Sequence, residues 1–144
     1  MTNVLLFWKN YASDLKRHGE EALSSWHSNS GIVGKLQEGD QIWLVSSGKI
    51  LKLQPESAGF LIAIVQVVRV EGNRMDAGSY SSENFKYRVI FDQEKTRLLE
   101  PPINIDEILR PADRDETIPI GRFLQGPRKI KDERLTAIEK QIRE

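Results

Sequence analysis

Trp26 stands in the stretch of this sequence best equipped for recognition chemistry, Ser24-Ser25-Trp26-His27-Ser28-Asn29-Ser30. An indole is a flat, polarisable surface, and hydroxyl, imidazole and amide groups supply donors and acceptors. Residues of these types together offer stacking for a planar heterocycle and hydrogen bonds for its edge. Stacking of a base on an aromatic side chain contributes about 1–3 kcal/mol. Ser24 to Gly34 reads as a polar loop that gives Trp26 little local core to join. Trp43, between Ile42 and Leu44, reads as core or barrel wall. Trp8, at the end of the apolar run that begins at Asn3, has two readings, core or site.

Other chemistries find few residues. There are no cysteines, so disulfides and thiolate zinc sites are excluded. Neither of the two histidines, His18 and His27, has metal-ligand spacing. No glycine-rich phosphate loop and no Gly-x-Ser-x-Gly elbow is present. The expectation is therefore no metal, no cofactor and no catalytic residue. A serine among Ser24, Ser25, Ser28, Ser30, Ser46 and Ser47 would have to meet His27 in space to make a nucleophile, and loop serines ordinarily serve as caps.

Lysine plus arginine equals aspartate plus glutamate, at 21 each. Sequence-independent affinity for nucleic acid comes from neutralising phosphates, so a neutral chain does not coat a duplex by charge alone. A local basic patch is what remains. Arg128, Lys129, Lys131 and Arg134 form one. They read either as a track for a nucleic-acid backbone or as a solvated helix start offset by Asp132 and Glu133.

The elements that would position these residues follow from periodicity. Asn3–Trp8 is a short strand. Tyr11–Leu23 is a charged surface helix. Glu38-Gly39-Asp40 is a turn that launches a strand at Gln41–Val45, and Lys49–Leu53 alternates like a hairpin partner. Phe60–Val70 is nearly continuous in apolar, β-branched residues, as a central strand is. Residues 73–84 form a long loop. Phe85, Tyr87, Val89 and Phe91 alternate with polar residues, the period-2 sign of a half-exposed strand. Pro101-Pro102 ends the next extended piece, and Ile103–Leu109 is a short helix capped by Asn104. Pro119–Pro127 reads as an edge strand, since prolines are tolerated there. Lys131–Arg143 is a helix with Leu135, Ile138 and Ile142 on one stripe.

The 144 residues suit one domain, 1–144. Close-spaced strands with helices at the edges give an α+β class, mostly β, built as a small barrel or strongly curved sheet. No apolar run approaches the length needed to cross a bilayer, and the opening Met1–Phe7 lacks a signal-type basic region. The expectation is a cytoplasmic protein without a membrane partner.

Several motifs, taken in order, resemble the EVE family, which shares the PUA-like fold with ASCH, YTH and SRA-type domains. Phe7-Trp8-Lys9, Tyr11-Ala12-Ser13-Asp14-Leu15, Ser24-Ser25-Trp26, and Leu36 through Ser47 around Gly39-Asp40 are similar to the family's opening. Val67-Val68-Arg69-Val70 is similar to its next strand. Pro102 through Ile108 and Arg122-Phe123-Leu124-Gln125-Gly126-Pro127 are similar to its tail. The resemblance implies a PUA-like barrel whose pocket captures a base, often a modified one, in DNA or RNA. It implies Trp26 as a pocket wall with Ser24, Ser25 and Ser28 near it, Ser46 and Ser47 on the opposite rim, and Trp8 at or below the floor. Arg122 would contact phosphate or brace the pocket, or be an ordinary surface ion-pair partner. The family's run after the loop tryptophan is replaced by His27-Ser28-Asn29-Ser30-Gly31, and residues 78–80 lack a counterpart of its Asp-Pro segment. Two alternatives stand beside the base reader: a small hydrolase of modified nucleosides, as some ASCH-type relatives are, and a protein-interaction domain.

Overall fold

The computed structural model describes residues 1–9, 11, 25–28, 30–72, 87–110, 120–122, 124 and 126–143, and for His27, Ser28 and Arg122 the backbone only. The strands are β1 (Asn3–Phe7), β2 (Ser25–Ser28), β3 (Gln41–Ser47), β4 (Gly59–Gly72), β5 (Tyr87–Phe91), β6 (Arg97–Asn104) and β7 (Arg128–Lys129). The helices are α1 (Gly31–Gly34), α2 (Gly48–Leu51), α3 (Asp106–Leu109) and α4 (Asp132–Arg143), with a 3-10 turn at Ile120–Arg122. The sheet runs β2-β5-β4-β3-β1-β7, and β6 also pairs with β4. Among the described residues no helix is long and apolar enough to cross a membrane.

β4 organises the sheet. Its first half pairs with β3 on one side and β6 on the other, and its second half pairs with β5. A strand flanked on both edges and covered on both faces needs continuous apolar sequence. Residues 59–65 are accordingly all buried. Register shifts lie between Leu44 and Val45 in β3, and in β4 between Leu61 and Ala63 and between Val67 and Arg69. Such bulges bend strands and increase twist. The sheet therefore curls, as a barrel of this class does, but it stays open: β2 pairs with β5 alone among the described residues.

Two apolar cores line the two faces. Side chains alternate along β1, so Val4, Leu6 and Trp8 enter one core and Leu5 enters the other. The same alternation puts Ile42 and Leu44 in the first core and Trp43 and Val45 in the second. The first core lies inside the curl, closed by Val33, Val89 and Phe91. The second is covered by α3, the 3-10 turn and α4, through Leu109, Ile120 and Ile138.

Polar groups pin the connections. The Asp40 carboxylate accepts from the amides of Thr2 and Gln37, both at 2.8 Å, and so ties the turn before β3 to the start of β1. Gly39 holds φ of 92° there, a conformation that favours glycine. The Arg110 guanidinium donates to both Asp106 oxygens at 2.9 and 3.0 Å and to the Ser57 carbonyl at 2.8 Å. Asp106 also accepts from the Gly59 amide at 3.0 Å, which ties α3 to the start of β4.

Several local expectations are corrected. Ser25–Ser28 is a strand and Gly31–Gly34 a helical turn, where a continuous loop was expected. Residues 48–51 form a helical turn capped by the Ser47 hydroxyl, and not a hairpin partner. Gly48 allows that turn, since a Cβ there would meet the Pro55 carbonyl. Pro101 and Pro102 lie inside β6, where the pairing jumps from Ala63↔Leu98 to Leu61↔Ile103. Extra residues in a bulge need no ladder amide, so proline is tolerated. Residues 120–122 are a 3-10 turn, and the final strand comes later, at Arg128–Lys129 against Leu5 and Val4. The expected helix after Tyr11 and the loop at 73–84 lie outside the described residues.

Candidate functional site

The open seam of the sheet is filled by aromatic rings. Trp8 follows the last residue of β1, held there by its amide donating to the Val45 carbonyl at 2.7 Å. Trp26 is on β2, four strands away in sheet order. Their ring centroids are 5.6 Å apart at an interplanar angle of 76°. Tyr11 meets Trp8 at 5.0 Å and 89°. Edge-to-face packing at these separations is the favoured geometry for aromatic pairs and is worth about 0.5–1.5 kcal/mol beyond area burial. Curling brings the end of β1 to β2, and among the described residues side chains rather than backbone hydrogen bonds join them.

The three rings differ in access. Trp8 is 2% exposed and belongs to the inner core. Trp26 and Tyr11 are half-buried and pack against that core. A T-shaped contact leaves each ring at least one face outside it. For Trp8 that face is covered by core, so Trp26 is the indole with area to offer. Burial pushes the Tyr11 phenol above its ordinary value of 10.0, and the nearby Glu100 carboxylate adds to the rise.

Trp26 is thus not the isolated loop indole that its neighbours in sequence suggest. Its strand pairs with β5 in the register Ser25↔Ile90, Trp26↔Val89, His27↔Arg88 and Ser28↔Tyr87. Ser25 is half-buried beside it. Ser24 and the side chains of His27 and Ser28 lie outside the described residues. Ser46 and Ser47, expected on an open rim, are both buried. The Ser46 hydroxyl donates to the Trp8 carbonyl at 3.0 Å, and the Ser47 hydroxyl accepts from the Ile50 amide at 3.2 Å. Ser46 therefore positions Trp8, and Ser47 caps a helix. Arg128 and Lys129 are exposed on β7, at the sheet's other margin in strand order. The Arg122 side chain lies outside the described residues. Tyr11, which the motifs include but give no place in the site, joins this ring cluster; its signal was the spacing Trp8-x-x-Tyr11. Among the described residues no group of three or more His, Asp or Glu is arranged to hold a metal ion.

Comparison with protein-family models and with curated proteins finds no match to this sequence. Solved structures do match. An ASCH protein from Zymomonas mobilis, in a point-mutant form, aligns with a TM-score of 0.57 at 10% identity over 97% of this chain and 98% of its own. A hypothetical protein from Leishmania major aligns with a TM-score of 0.57 at 11% identity, covering 99% of this chain and 95% of its own. A protein from Rhodopseudomonas palustris aligns at 15% identity and a TM-score of 0.55, over 98% and 92%. The chain has the PUA-like fold of ASCH proteins. At such identities the likeness fixes the fold alone. It does not single out the EVE branch. Among the described residues the sheet is an open, curled version of the expected barrel, and the Trp8–Trp26 contact links the end of β1 to β2.

Proposed function

We propose that the chain, 1–144, is an EVE-type nucleic-acid-binding module that captures a base, a modified one, at the aromatic seam. The observation that supports this reading is the half-buried Trp26, held edge-to-face against a fully buried Trp8. A ring already fixed by its neighbours loses little freedom on stacking, so preorganisation favours binding. Among the described residues no backbone hydrogen bond joins β2 to the end of β1, so a flat heterocycle entering there breaks no ladder bond between them. Ser24, Ser25, His27 and Ser28 supply polar groups for the base edge, and Arg122, Arg128 and Lys129 meet the phosphates of DNA or RNA. A modified base adds apolar area that the indole covers. The neutral net charge of the chain fits a local reader and not a duplex-coating protein. The module acts in the cytoplasm and needs no cofactor.

The test is a titration of labelled oligonucleotides, plain and carrying methylated or hydroxymethylated bases, into the parent and Trp26→Ala proteins. The expected loss on removing the indole is about 1–3 kcal/mol, roughly 5- to 150-fold in Kd. Equal affinity of parent and variant for every oligonucleotide, with circular dichroism showing both folded, would remove Trp26 from the site.

A further inference from the structure

The other face of the sheet carries a cleft of about 370 Å³ between α4, the start of β3 and the turn entering β6. Its size falls within the roughly 300–1,000 Å³ range of small-molecule sites. Trp43, Ile64 and Ile142 give it an apolar wall. Lys95, Arg97 and Arg143 stand around it with one carboxylate, Glu139. We infer that this cleft binds a phosphomonoester, from a free nucleotide or from the phosphorylated end of a strand, independently of the aromatic seam.

The charge balance points to an anion, since three cations share the cleft with one acid. Among the described residues none of the three cations pairs with a carboxylate. Arg110 shows the contrast, since both oxygens of Asp106 occupy its guanidinium. Two guanidinium forks that hold no carboxylate among the described residues match the planar, bidentate geometry by which arginine holds phosphate, and a lysine adds a point charge. The Trp43 indole N–H already donates to the Asn3 side-chain oxygen at 3.0 Å. It is therefore wall and not donor. Glu139 repels a bare anion but accepts from a hydroxyl or amine, so the cleft favours a phosphate that carries such donors nearby. A nucleotide has its phosphate, sugar hydroxyls and an apolar-faced base within that span.

The site is separate from the seam because Trp43 and Trp8 belong to opposite faces. Calorimetric titration of the full chain with adenosine 5′-monophosphate, adenosine and inorganic phosphate tests it. A short oligonucleotide with a 5′-phosphate and its 5′-hydroxyl twin complete the set. The monophosphate is expected to bind at least tenfold tighter than adenosine, and more weakly as salt rises. The double variant Arg97→Ala/Arg143→Ala should lose at least tenfold, while Trp26→Ala leaves this binding intact. Glu139→Gln should narrow the preference for the nucleotide over inorganic phosphate. Preference for the 5′-phosphorylated strand over its twin supports the strand end as source, and binding of the monophosphate alone supports the free nucleotide. Equal binding of adenosine and its monophosphate overturns the inference, as does a folded double variant that binds like the parent.

Discussion

Trp8 and Trp43 are equally buried, each 2% exposed, yet the regions around them differ in kind. Trp8 sits inside the curl with ring neighbours, where Tyr11 and Trp26 pack edge-on and the Ser46 hydroxyl holds its carbonyl. Trp43 sits on the outer face, its N–H fixed by Asn3, and walls a cleft rimmed with charge. Burial alone therefore does not rank the two for function. What separates them is the neighbour each one supports: a partly accessible ring on one side, and on the other cations with no carboxylate partner among the described residues. The aromatic region is organised by dispersion and shape, which salt hardly touches. The charged region is organised by fields that salt screens.

Four tests, some pairing two substitutions, break or sharpen that contrast. Asp106→Ala attacks the outer face most severely, because it leaves the buried Arg110 guanidinium without its carboxylate. Removing one partner of such a pair costs about 3–5 kcal/mol. Urea unfolding should show this loss, whereas an exposed cleft variant such as Arg97→Ala should change stability by less than about 0.5 kcal/mol. Next, Trp26→Ala should weaken base binding by about 1–3 kcal/mol while Trp43→Phe leaves it unchanged, as read by fluorescence anisotropy of a labelled oligonucleotide. Ser46→Ala should cost about 1 kcal/mol by leaving the buried Trp8 carbonyl without its hydroxyl donor, a shift visible in thermal melts.

The smallest effect is alkaline. The Tyr11 phenol is raised in the folded state, mainly by burial and further by Glu100. The fold thus favours the protonated form, so this stabilisation is complete below the ordinary phenol value and is lost as pH rises through the raised one. Melting temperatures followed from pH 9 upward should fall less steeply for Tyr11→Phe than for the parent.

The most legible parts were those whose burial is written in their own residues. The unbroken apolar run of β4, the alternation of β5 and the Leu135–Ile138–Ile142 stripe of α4 each reflect contacts made along one element. The misread parts depend on distant partners. Ser25–Ser28 has no apolar periodicity, and it is a strand because β5 offers it a register. Arg128–Lys129 is too short and polar to signal a strand, and it forms one by pairing with Val4 and Leu5. Lys49–Leu53 alternates as a strand would, but the Ser47 cap and the close approach at Gly48 turn it into a helix. The site followed the same rule. Trp26 was visible as an unusual residue, while its partnership with Trp8 arises only when the sheet curls. Ser46 and Ser47 looked like rim groups, since nothing in their sequence shows that backbone atoms consume both hydroxyls.

The most direct measurement uses a protein in which Trp8→Phe and Trp43→Phe leave Trp26 as its sole indole. Titration with an oligonucleotide carrying a modified base should quench that emission saturably and shield it from acrylamide, with the midpoint matching the anisotropy-derived Kd. Binding by anisotropy with no change in emission or acrylamide access would contradict the seam as the place where the base is held.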